Sequence, residues 1–185
     1  MLCRKLSVYE KSGVVYMKDS VKQKTAGFYL TALLVILVLT VLDRVTKHLA
    51  VIHLKDQAPV PIIRGVLELQ YLENQGAAWG MLSGRQWFFW IVTIIFLVIC
   101  LIYLIKVPAG RRYRPLTITV LFLAAGAIGN FIDRITQRYV VDFIYFRLID
   151  FPIFNVADIY VSVAVTVLIL LILFYYKEED FSFLK

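Results

Sequence analysis

Cysteine, histidine and charge are all scarce in this chain, and each shortage removes a class of chemistry. Only two cysteines occur in 185 residues. Cys100 lies in a long apolar run, where a thiol packs as a small hydrophobe. Cys3 belongs to a basic N-terminal stretch with a cytoplasmic signature, so a disulfide between the two is not expected. There is no CxxC pair and no Cys/His cluster, and His48 and His53 have no further ligands beside them, so no metal or other cofactor is indicated. Ser83 and Ser162 lack a neighbouring histidine and a G-x-S-x-G frame, which argues against serine hydrolysis. A glycine-rich phosphate loop is also missing. Charged residues make up 18% of the chain, and four long stretches contain none.

Those stretches are what the sequence has in abundance. The chain is 61% hydrophobic and 15% aromatic, with a mean hydropathy of +0.77, against roughly half apolar for soluble domains. Uncharged runs cover 27–42, 86–105, 115–132 and 159–176, or 16, 20, 18 and 18 residues. A spanning helix needs about 20 mostly apolar residues, and the first run continues past Asp43 and Arg44 to about Ile52. Four such runs leave too little polar surface to cover them in water. The expected fold is an all-α integral membrane protein of four transmembrane helices, with residues 1–25 a basic tail, 26–176 the membrane domain and 177–185 a second tail.

The net charge of +7 follows topology. Arg4, Lys5, Lys11, Lys18, Lys22 and Lys24 precede the first helix, and Lys106, Arg111, Arg112 and Arg114 cluster between helices two and three. Loops one and three, roughly 53–85 and 133–157, are near balance. Basic short loops stay cytoplasmic, so both termini are expected inside, the two long loops outside, and no nucleic-acid partner. The tail carries no cleavable signal-peptide pattern, and Met17, ahead of Lys18-Asp19-Ser20, is an alternative start.

Loop one has a strand signal. Val60-Pro61-Ile62-Ile63 is followed by Gly65 and by 66–72, where Leu67, Leu69 and Tyr71 alternate with Glu68 and Gln70. A small extracytoplasmic β-rich region resting on the membrane fits this pattern. The stretch from Asn74 to Gly80 adds small residues that permit close backbone approach and one aromatic, Trp79, suited to an interface.

An ionisable group near a bilayer is costly and usually functional, so the thirteen acids are the place to look for chemistry. Those in the tails are unremarkable, and Asp56, Glu68 and Glu73 are expected to be solvated. Five remain near helix ends or in loop three: Asp43, Asp133, Asp142, Asp150 and Asp158. Asp43 and Lys47 share a helix face, either as a self-neutralising pair or as part of a site. Asn130, Asp133 and Arg134 end the third helix, with Arg134 expected to hold a carboxylate, and Asp150 precedes Phe151-Pro152 in a turn. Asp142 is enclosed by Val140, Val141, Phe143 and Ile144. Asp158 opens the fourth apolar run with Asn155 three residues earlier, a position that helix-dipole complementarity alone also explains. Loop three is long enough to fold these two together, and two carboxylates in a partly dry site share a proton. That arrangement performs acid/base hydrolysis; a proton-coupled carrier or a non-catalytic scaffold would use the same acids differently. Asp133 and Asp43 remain candidates on this reading.

Five motifs occur in order: Asp43-Arg44-Val45-Thr46-Lys47, Asn74-Gln75-Gly76-Ala77-Ala78-Trp79-Gly80, Gly129-Asn130-Phe131-Ile132-Asp133-Arg134, Val140-Val141-Asp142-Phe143 and Phe154-Asn155-Val156-Ala157-Asp158. Over about residues 24–176 the chain resembles the lipoprotein (type II) signal peptidases, departing only in its N-terminal extension. The resemblance implies an aspartic endopeptidase of the bacterial cytoplasmic membrane, without cofactor, that cleaves diacylglyceryl-modified prolipoproteins just before the lipid-modified cysteine at the outer face. It implies Asp142 and Asp158 as the catalytic pair, with Asp43, Lys47, Asn74, Asn130, Asp133, Arg134 and Asn155 as the polar shell. A monomer working in membrane lipid is expected.

Overall fold

A computed structural model of the chain describes residues 7–11, 14–18, 24–76, 81–82 and 84–184, the first two segments as backbone. Trp79 and Cys3 therefore lie outside the described residues. Strands β1 (Ser7–Lys11) and β2 (Val14–Lys18) pair antiparallel, Ser7 opposite Lys18. The stretch read from sequence as a tail thus contains a hairpin.

Four helices are long and apolar enough to cross a membrane. They are α1 (Ala26–Leu54), α2 (Gln86–Lys106), α3 (Arg114–Thr136) and α4 (Val156–Phe174). Lipid offers backbone amides no hydrogen-bond partners, so a long apolar run must satisfy them internally as helix. The 29 residues of α1 extend about 43 Å at 1.5 Å per residue, beyond the roughly 30 Å hydrocarbon core. Leu33, Leu37, Val41 and Val45 are exposed along it, while Ala32, Thr40, Asp43, Lys47, Ala50 and Leu54 face inward. More than half of the apolar window of α3 is buried, against under a fifth in the other three, so α3 is the central helix. Small residues make this possible. A Cβ on Gly126 would come within 2.7 Å of the Ala157 carbonyl oxygen and of Val161, and one on Gly129 within 2.5 Å of Asp43 Oδ2. Without side chains there, α3 packs closely on both α4 and α1.

Loop one forms β3 (Val60–Ile63) and β4 (Leu67–Asn74) as expected, but the sheet has a third strand. Loop three supplies β5 (Val140–Phe146), antiparallel to β4, with Leu72 opposite Asp142 and Asn74 opposite Val140. Glu68 is not solvated. It is 5% exposed and accepts from Arg147 Nη1 at 2.8 Å, a cation delivered by the turn after β5. Ile144 and Phe154 exchange backbone hydrogen bonds of 2.8 and 3.0 Å, folding the end of loop three back along β5.

Candidate active site

That fold-back sets the geometry of the site. Asn155 caps α4: its Oδ1 accepts from the Asp158 amide at 3.0 Å, and Asp158 Oδ2 accepts from the Asn155 amide at 3.0 Å. This reciprocal capping box fixes both side chains at the helix start. With its oxygen so engaged, the Asn155 Nδ2 points away and donates to Asp142 Oδ1 at 2.6 Å and to Asn130 Oδ1 at 3.1 Å. Asn74, at the end of β4, donates to Asp142 Oδ2 at 2.8 Å and accepts from the Gly76 amide at 3.0 Å. Asn130 Nδ2 donates to Asp158 Oδ1 at 2.7 Å. The two aspartates are thus tied to one another through Asn155 and Asn130.

Beneath them lies a buried ionic cluster. Lys47 is 1% exposed, and Asp43 and Asp133 are fully buried. Lys47 Nζ lies 2.9 Å from Asp43 Oδ2, 3.0 Å from Asp133 Oδ2 and 2.8 Å from Asn130 Oδ1. Asp43 Oδ1 also accepts from the Ala157 amide at 2.9 Å. Asp133 accepts from Arg44 Nη1 and, at 3.3 Å, from the Val141 amide. Each carboxylate therefore anchors a segment that carries a member of the aspartate pair, Asp43 the start of α4 and Asp133 the strand β5. A buried charge is tolerable when paired in this way.

Asp142 and Asp158 line one cavity of about 480 Å³, with Asn74, Asn130 and Arg134 on its polar side. Phe154, Ile159 and Val163 form an apolar side, and Ile159 and Val163 are exposed on the outer face of α4. Asn74, Gly76 and residues 151–153 also border a second groove of about 540 Å³ that continues over β4. Burial, followed by the negative charge of Asp158, pushes the Asp142 carboxyl up to about 7 against the opposing amides of Asn74 and Asn155. At neutral pH such a group is poised to hold or release a proton.

All nine residues singled out from sequence converge here, but Arg134 differs from its expected part. Successive helical residues diverge by about 100°, so Asp133 points to Lys47 while Arg134 points to the cavity. Arg134 Nη2 donates to the Gly76 carbonyl at 3.4 Å, its guanidinium lies over the Phe89 ring at 4.7 Å, and its Nε is buried without a partner. Lys47 and Arg44 hold Asp133 instead. Sequence reasoning gave no role to Arg44, to the amides of Val141 and Ala157, or to Gly126 and Gly129. The small-residue spacing at 126 and 129 on α3 was the available signal for the last two. Asp150 takes its turn position at φ 50°, and His48 and His53 are exposed. Among the described residues no three His, Cys, Asp or Glu side chains converge as metal ligands.

The sequence profile described as Signal peptidase (SPase) II matches residues 35–174. The chain belongs to the signal peptidase II family. It is 39% identical over 147 residues to a lipoprotein signal peptidase of Streptococcus pyogenes serotype M5, covering 80% of this chain and 93% of that one. A counterpart from serotype M3 is 38% identical over the same coverage. Two solved structures, described as a bacterial membrane enzyme by the in meso method at 2.3 and 1.9 Å resolution, superpose with TM-scores of 0.72 and 0.71. They are 36% and 35% identical to this chain, covering 85% and 84% of it and 93% and 99% of their own lengths. The chain is therefore a multi-pass bacterial membrane protease.

Proposed function

We propose that the chain removes signal peptides from diacylglyceryl-modified prolipoproteins by cleaving before the lipid-modified cysteine, with Asp142 and Asp158 as an aspartic general acid/base pair. The observation that carries this reading is the shared cavity in which both carboxylates are oriented by hydrogen-bonded asparagines, Asn155 on Asp142 and Asn130 on Asp158. With one proton between them, the charged carboxylate takes a proton from water as its oxygen attacks the peptide carbonyl carbon. The protonated partner gives its proton to the carbonyl oxygen. Collapse of the tetrahedral diol breaks the C–N bond: the aspartate that took the water proton gives it to the departing amine. A diol hydroxyl passes its proton to the other aspartate as the product carboxyl forms, so the pair returns to its starting state. No covalent enzyme intermediate forms.

The exposed apolar wall of Ile159 and Val163 suits sideways entry of a lipidated peptide from the bilayer, and the groove over β4 suits the extended chain beside the scissile bond. Arg134, with an unused buried Nε in the cavity wall, is placed to meet a substrate carbonyl. A basic cluster lies at the opposite end of the bundle: Lys24 Nζ meets the Leu104 carbonyl at 2.5 Å, next to Lys106 and the arginines of the α2–α3 turn. By the positive-inside rule this end is cytoplasmic with both termini, and the aspartates face outward.

The test is reconstitution in lipid with a diacylglyceryl-modified prolipoprotein, comparing wild type with Asp142→Asn and Asp158→Asn. Both variants are expected to fold and to release no signal peptide. Cleavage by either folded variant would reject the pair.

A further inference from the structure

At the end of the bundle away from the aspartates, α1 and α3 leave between them the largest of the three cavities described, about 770 Å³. Its walls are apolar, with Phe28 and Val35 from α1 and Ile118 and Phe122 from α3. Ile118 is exposed, so the groove opens towards the surrounding lipid. Arg111 and Arg114 line its rim, and among the described residues no acidic side chain does.

Three other cations at this end are engaged. Arg112 grips Asp180 through Nε at 2.6 Å and Nη2 at 2.5 Å, and also donates to the Tyr175 carbonyl at 3.2 Å. Lys24 donates to the carbonyls of Leu104 and Ile105, and Lys106 to that of Leu184. Arg111 and Arg114 have no ion pair or hydrogen-bond partner among the described side chains, though both border the same groove. Arg114 is also the first residue of α3, whose N-terminus has no side-chain cap, so the positive end of that helix adds to the two guanidiniums.

We propose that this groove binds an anionic phospholipid, its phosphodiester held by Arg111 and Arg114 and an acyl chain lying between α1 and α3. Basic pockets between transmembrane helices on the cytoplasmic side are suited to such headgroups. The lateral opening and apolar walls call for an acyl chain, which a free anion does not have. The preceding residues 18–24 hold Lys18, Lys22 and Lys24 against one acid, Asp19, a net positive charge like that of the rim. This site lies apart from the peptidase cavity and stands or falls independently of it.

Native mass spectrometry of the full chain in micelles with equal phosphatidylglycerol and phosphatidylcholine tests the assignment. Two basic contacts at about 1 kcal/mol each predict retention of one phosphatidylglycerol with about 30-fold preference. Arg111→Gln/Arg114→Gln is expected to bring that preference close to onefold. Ile118→Trp fills the groove from an exposed position while leaving both arginines, and is expected to lower retention at least tenfold. Both variants should still cleave substrate, which confirms their folding at the distant site. An undiminished preference in the double variant, or undiminished retention in Ile118→Trp, would overturn the site, the second by reducing it to general surface attraction. Equal displacement by inorganic phosphate would overturn the lipid in favour of a free anion.

Discussion

Replacing Asp142 by asparagine is expected to abolish turnover and yet stabilise the protein at alkaline pH. Burial and the charge of Asp158 raise the Asp142 carboxyl from an ordinary 3.8 to about 7. At 1.36 kcal/mol per unit, holding it ionised in the fold costs about 4 kcal/mol. Asparagine removes that cost but introduces a mismatch, because both neighbouring amides are pinned as donors. Asn74 Oδ1 is held by the Gly76 amide and Asn155 Oδ1 by the Asp158 amide. The new NH₂ therefore faces a donor, at a cost of about 1–3 kcal/mol. The net expectation at pH 8 is a gain of about 1–3 kcal/mol over wild type. The pH dependence has a definite sign. Between about 4 and about 7 folded Asp142 keeps a proton that the unfolded chain has released, so wild-type stability falls as pH rises through that window and levels off above it. Below it the penalty disappears and wild type is the more stable form. Unfolding free energies of the two proteins in the same micelles, from pH 5 to pH 8, should diverge by roughly 3 kcal/mol in favour of the variant. A difference that stays flat across this range, or that favours wild type at pH 8, would refute the burial argument.

Lys47→Met leaves Asp43 and Asp133 buried without their shared cation and should cost about 3–5 kcal/mol; a loss below 1 kcal/mol in detergent unfolding would show that the cluster is not held through Lys47. Gly129→Ala drives a Cβ to 2.5 Å from Asp43 Oδ2, which Lys47 and the Ala157 amide prevent from retreating, so it should cost about 1–3 kcal/mol and lower kcat. Gly65, at φ 75° with nothing within 4 Å of an added Cβ, provides the comparison, since alanine there should strain the turn and leave kcat unchanged. Asn155→Ala removes the α4 cap, worth about 0.5–2 kcal/mol, together with a donor to Asp142; kcat is expected to fall more than KM rises, and the opposite split would assign Asn155 to substrate binding.

The helices were legible because lipid allows a long apolar run few alternatives, and β4 was legible from its alternation. β5 was not. Val140 to Phe143 are all buried, so the strand reads as an apolar stretch broken only by Asp142, with no period of two, and its identity comes from pairing with β4 some seventy positions earlier. Glu68 failed for the same reason, since Arg147, which buries it, is 79 residues away. The carboxylate expected for Arg134 came from its spacing to Asn130 and Asp133 on α3, whereas Asp133 turns to Lys47 on α1 and Arg134 to the cavity. The Asn155–Asp158 pair, by contrast, carries its geometry in its three-residue spacing, and its capping box is local enough to read without any fold.

The choice of groups around the aspartates follows from the chemistry proposed for them. Among the described residues, every hydrogen bond donated to Asp142 or Asp158 comes from an amide: the side chains of Asn74, Asn130 and Asn155, and the backbone of Asn155. A directly bound lysine or arginine would orient a carboxylate equally well, but it would hold the pair ionised and remove the proton that the acid step requires. The nearby cations make no hydrogen bond to the pair. Lys47 and Arg44 neutralise Asp43 and Asp133, which fix α4 and β5 in place, Lys47 is hydrogen-bonded to Asn130 Oδ1, and Arg134 lines the cavity but donates to the Gly76 carbonyl. Asparagine donates without charge, so the site keeps its geometry and the pair keeps its proton.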